Sequence, residues 1–171
     1  MLRIAIMSAV MIVNFVLQSS LFQYIEILGV RPNSALILIV SYSILRGDVE
    51  GALLGFFAGL LQDVYFGSYV GLHALLGLLA GYFCGKPFKD FFRENYFLPL
   101  SLVAVCSLLF QTAYYAADFL FRAKTEFLFY TSTIILPGTV YTLILTVPFY
   151  SLVYGINNWL ETIEKSKRKL F

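Results

Sequence analysis

Five long stretches of this chain contain no Asp, Glu, Lys or Arg: residues 4–25, 32–45, 64–85, 95–117 and 127–160. Charge confined to the segments between them constrains the fold more than any single motif. Crossing the hydrocarbon layer as a helix takes about 20 apolar residues, and several of these runs reach that length. The composition agrees: 60% of the 171 residues are hydrophobic and 13% are charged, too little charge to cover a soluble domain. Mean hydropathy is +0.81. Strands of a membrane barrel would alternate over about ten residues, and these runs do not. The sequence reads as an all-α, polytopic membrane protein.

The first run follows Arg3 as a signal peptide would, yet "VLQSSLFQY" offers no small-x-small cleavage site, so it reads as an uncleaved helix. The pattern predicts six helices, near 4–25, 33–46, 49–64, 71–86, 96–120 and 136–160, in one integral membrane domain over 1–171. Pro32 breaks the chain before the second helix, because proline suits a first turn and resists an interior. Helices two and three, joined at "RGDVEG", are short, and a re-entrant hairpin or a five-span arrangement stays open on length alone. Residues 127–135 are expected along the membrane surface before Pro137, and Pro148 is expected to kink the last helix.

Six spans with a cytoplasmic N-terminus put Arg3, Arg46, Lys86, Lys89, Arg93, Lys165, Lys167, Arg168 and Lys169 on the cytoplasmic side. Arg31, Arg122 and Lys124 fall outside. Nine against three satisfies the positive-inside rule. The C-terminal basic cluster suits anionic headgroups, and Trp159 before it suits an interfacial anchor.

Two helices carry glycine at every fourth position: Gly51, Gly55 and Gly59, then Gly77, Gly81 and Gly85. Small residues at i and i+4 let membrane helices approach closely, where packing rather than hydrophobicity drives association. About a turn centred near Ser68, Gly51 is expected level with Gly85, Gly55 with Gly81 and Gly59 with Gly77. The next residues on those faces are Asp63 and His73, expected to close the seam with a hydrogen bond, or an ion pair where the histidine is protonated; the competing reading is that the two glycine faces point at different neighbours, one of them a partner protein. A carboxylate beside hydrocarbon is costly and faces protein or water; a plain interfacial position for Asp63 is the competing reading. A second polar stripe runs through Ser107, Gln111, Tyr114, Asp118 and Arg122, with Asp118 and Arg122 spaced to pair. Asn14 and Gln18 are also four apart. Interhelical hydrogen bonding explains such stripes as well as a lined cavity or partner surface does.

Cys84 and Cys106 sit in separate runs without metal or redox spacing and read as small apolar packers. His73 stands alone among histidines. No segment matches a phosphate-binding loop, nucleophile elbow, metal motif or nucleic-acid module. The expectation is a protein with no enzymatic activity, no cofactor and no nucleic-acid partner.

From Arg31-Pro32-Asn33, through Gly55 and Gly59 to Asp63, then Gly67 and Gly71-Leu72, the chain resembles the MreD family of bacterial rod-shape-determining membrane proteins. The resemblance implies a scaffold subunit of the cell elongation complex in the bacterial inner membrane. Such a subunit would bind a MreC-like single-span protein and help couple MreB filaments to the peptidoglycan synthases; membrane lipid and a second copy of itself are further partners it leaves open. It also implies a six-helix bundle similar to the substrate-binding subunits of energy-coupling-factor transporters. That similarity raises the alternative of a vitamin-like solute-binding subunit, which fold alone does not establish.

Overall fold

The computed structural model describes residues 2–20, 32–66, 71–86, 97–122 and 131–168. They form six α-helices: α1 (Leu2–Ser20), α2 (Ser34–Arg46), α3 (Asp48–Phe66), α4 (Leu72–Gly85), α5 (Phe97–Arg122) and α6 (Leu136–Arg168). A π-helical turn, Thr131–Ile135, leads directly into α6. No strand occurs among the described residues.

The centre of the bundle is α2. Every residue from Ser34 to Leu45 is buried, so the short second helix is wrapped by protein rather than matched to lipid. Its thirteen residues span only about 20 Å at 1.5 Å each. Asn33 starts it, its Oδ1 accepting from the Leu36 N–H at 3.1 Å. Gly47 ends it at φ 106°, a left-handed angle that disfavours any residue with a Cβ, and donates its N–H to Ser43 O. The chain turns there and enters α3 at once, with Asp48 and Glu50 in the first turn, where negative charge suits the helix dipole.

One core cluster joins Leu36, Ile37, Val40 and Ile44 of α2 to Ala80 and Cys84 of α4 and to Val103, Cys106 and Phe110 of α5. Helices α4 and α5 thus meet over one face of the central helix, where Cys84 and Cys106 touch. The first half of α1 closes the bundle through Ile6, Met7 and Val10, which pack with Tyr42 and Leu45 of α2 and Val153 and Leu160 of α6. The outer surface stays apolar, as at Leu53, Phe57 and Leu60 on α3, Leu109 on α5 and Ile144 on α6.

Among the described residues two stretches are long and apolar enough to cross a membrane, Phe97–Ala117 in α5 and Thr133–Leu160 at α6; Ile6–Ser20, Ser34–Arg46 and Leu72–Gly85 are shorter apolar helices. Two differences from the sequence expectation stand out. Residues 131–135 are the helical entry to α6 rather than a separate surface segment. And α6 runs on to Arg168, past the apolar stretch, because "ETIEKSKR" has good helix formers with Glu161 four before Lys165 and Glu164 four before Arg168. Pro148 lies inside that helix.

Candidate functional site

Helices α3 and α4 approach so closely that glycine faces glycine across them. A methyl group built on Gly55 would run into the carbonyl of Gly77, and one on Gly77 into the carbonyl of Gly55. Gly81 is similarly opposed by Gly51, Gly59 by His73, and Gly85 by Gly47 and Asp48. Backbone therefore meets backbone along the whole seam. Gly51 is also hemmed in from α2, where a Cβ would collide with the side chain of Ser43.

The register corrects the expected one by a helical turn. Gly55 faces Gly77 rather than Gly81, and Gly51 faces Gly81 rather than Gly85. The cause is an overhang: α3 continues to Phe66, while the first residue of α4, Leu72, lies level with Leu60. The last turn and a half of α3, about 9 Å at 1.5 Å per residue, projects beyond the start of α4. Asp63 sits on that overhang, above the N-terminus of α4.

There its carboxylate does more than meet the His73 side chain. Asp63 Oδ2 accepts from the N–H of Gly71 at 3.0 Å and of Ala74 at 2.9 Å. Its Oδ1 accepts from the N–H of His73 at 3.0 Å and lies 2.9 Å from His73 Nδ1. The first turn of a helix leaves its N–H groups without partners inside the helix. Gly71, in the left-handed conformation at φ 94°, has no side chain with which to cap it. Asp63 supplies the cap from the neighbouring helix, with the negative charge that the dipole favours. Its side chain is 1% exposed, so the four contacts replace water almost entirely.

The same histidine nitrogen is 3.1 Å from the Tyr114 hydroxyl on α5, and the two rings lie 4.5 Å apart. An ionised carboxylate only accepts hydrogen bonds. Nδ1 therefore carries the proton and donates to Asp63, and the Tyr114 oxygen shares it as a second acceptor. This contact ties α5 to the α3–α4 pair.

Beside Asp63, Gln62 is 5% exposed and donates through Nε2 to Gln18 Oε1 at 3.2 Å and to Asn33 Oδ1 at 3.4 Å. Asn33 in turn donates its N–H to the hydroxyl oxygen of Thr142 on α6, at 3.3 Å. Pro32 is buried next to it. In the polar stripe, Gln111 Nε2 donates to Ser107 and to Thr139 of α6, each at 3.2 Å. Polar groups from all six helices thus gather towards the end where α3 leads to α4. Arg31, Gly67 and the side chains of Asp118 and Arg122 lie outside the described residues.

The opposite end has its own joints, which the sequence reading did not single out. Tyr42 donates to Glu50 Oε2 at 2.8 Å, and Arg46 Nε donates to Asn157 Oδ1 at 2.7 Å, connecting α2 to α3 and α6. Cys84 and Cys106, expected as small apolar packers, are both buried in the core and in contact at 3.4 Å between sulfurs. Among the described residues no cluster of three or more His, Cys, Asp or Glu could hold a metal ion.

A family model described as rod shape-determining protein MreD matches residues 1–156. No characterised protein and no solved structure matches the chain, so the similarity to energy-coupling-factor subunits has no structural match behind it.

Proposed function

The chain belongs to the MreD family of rod shape-determining proteins, and from that premise we propose that it is a non-enzymatic, multi-pass scaffold of the bacterial plasma membrane. It binds a MreC-like single-span protein and helps couple MreB filaments to the peptidoglycan synthases. The observation that carries this reading is the way the polar and glycine groups are spent. Asp63, His73, Gln62 and Gln111 bond to other helices, and the glycine faces of α3 and α4 are closed on each other. Such an interior suits a rigid platform better than a receptor for a solute.

A consequence for the partner follows. With the glycine stripes consumed inside the protein, the surface offered to a single-span helix is the exposed apolar face, for example Leu53, Phe57 and Leu60 on α3. Copurification from native membranes tests the function. A MreC-like protein should accompany the tagged chain, and Phe57→Arg should weaken that association while leaving the amount of folded protein unchanged. Saturable uptake or tight binding of a vitamin-like solute, with no such partner recovered, would replace this reading with the transporter alternative.

A further inference from the structure

Helix α1 is held in two different ways along its length. Its first half packs dry, through Ile6, Met7 and Val10. Its second half turns Asn14 and Gln18, one helical turn apart, towards Gln62 of α3. Between them lies a small cavity lined by these three amides together with Phe15, Ala58 and other apolar side chains. The space open to the centre of a water molecule is about 10 Å³, which is the room one water needs.

Asn14 is 5% exposed, and its Oδ1 has no hydrogen-bond partner. A buried acceptor left unpaired forfeits the water it bonded before burial. The Gln62 amide cannot serve it, since its Nε2 is already shared between Gln18 and Asn33. What the site asks for is a small donor that can also accept.

We propose that one ordered water occupies this cavity, donating to Asn14 Oδ1 and bonding to the Gln18–Gln62 amide pair, so that α1 is joined to α3 through a wet contact. In a wall that is otherwise apolar, the amides of Asn14, Gln18 and Gln62 supply the two to four polar partners a buried water takes, and the space holds one molecule. The contrast with the seam between α3 and α4 is sharp, because backbone fills that seam.

Radiolytic hydroxyl-radical labelling of the full chain in lipid nanodiscs tests this, with the oxygen isotope of the solvent switched before exposure. A resident water generates its radical in place, and Phe15 lies on the cavity wall. Phe15 should be hydroxylated, and its label should take up the new isotope more slowly than labels at solvent-facing residues. Asn14→Leu removes the acceptor and fills the space; it should abolish most of the Phe15 label. Gln18→Leu repeats the comparison if the first variant folds poorly. No label at Phe15, a label that exchanges as fast as bulk, or one unchanged in both variants would overturn the proposal.

Discussion

Asp63 Oδ2 accepts a 2.9 Å hydrogen bond from the backbone N–H of Ala74, eleven residues further along the chain. A helix N-terminus is ordinarily capped by the residue that opens it. Here the opening residue is Gly71, which lacks a side chain, and the cap comes from the preceding helix. One carboxylate thus fixes where α4 begins and how far α3 overhangs it, linking a single residue of sequence to the register of the whole pair.

Removing that carboxylate should be the most damaging single change at this end. Asp63→Ala takes the acceptor from the N–H groups of Gly71, His73 and Ala74 and the nearer of two acceptors from His73 Nδ1. With unsatisfied buried donors costing about 1–3 kcal/mol each, the loss should be on the order of 3 kcal/mol or more. His73→Ala keeps the three backbone bonds and should cost less. Tyr114→Phe leaves the Asp63 cap intact and should cost less than Asp63→Ala, about 0.5–1.5 kcal/mol, the usual range for one hydrogen bond. Unfolding in detergent, followed by helical circular dichroism, ranks the three. A Tyr114→Phe effect equal to that of Asp63→Ala would show that the proton on Nδ1 is misassigned.

The glycines give a prediction of opposite sign at different positions. Alanine is the better helix former by about 0.8–1 kcal/mol, so Gly→Ala should stabilise wherever there is room. At Gly155 of α6 an added Cβ meets nothing within 4 Å, and Gly155→Ala should be neutral or slightly stabilising. At Gly55 and Gly77 the new methyl meets a facing backbone carbonyl, which cannot swing aside as a side chain could. Those two variants should lose about 1–3 kcal/mol, the usual cost of overpacking. Equal melting behaviour in all three would mean that α3 and α4 do not lie in backbone contact.

The glycine faces were legible because a period of four is a statement about one side of a helix. Their register was not. Sequence spacing fixes which residues share a face, but the level at which two faces meet depends on how far each helix continues past the turn. Phe66 and Leu72, the bounding residues, mark no such limit in composition. The burial of Gln62 was hidden for a related reason: it is the packing of α1 and α2 around the amide that encloses it. The contact between Cys84 and Cys106 joins two helices with a charged segment between them, which no local spacing can announce. Burial of α2 on all sides was equally hidden, since "SALILIVSYSIL" has no polar face and fits lipid or protein surroundings alike.

Lys and Arg near span ends remain on the cytoplasmic side, and this bias sets how a polytopic chain is threaded. Six crossings place nine of the twelve basic residues with both termini and leave Arg31, Arg122 and Lys124 opposite. Five crossings would send either Arg3 or the "KSKRK" cluster to the wrong side. Helix α2 is the element in doubt by length, yet it is enclosed by protein along its whole course. Its ends need only reach depths where α3 to α6 continue, so a short helix is compatible with a full crossing. Alkaline phosphatase fused at Gly67, between α3 and α4, should therefore be active, and fused at Phe171 it should be silent. A fluorescent protein that folds only in the cytoplasm should give the reverse pattern. The same signal from both positions would mean that α2 and α3 enter and leave the membrane on one side, and the six-span arrangement would fail.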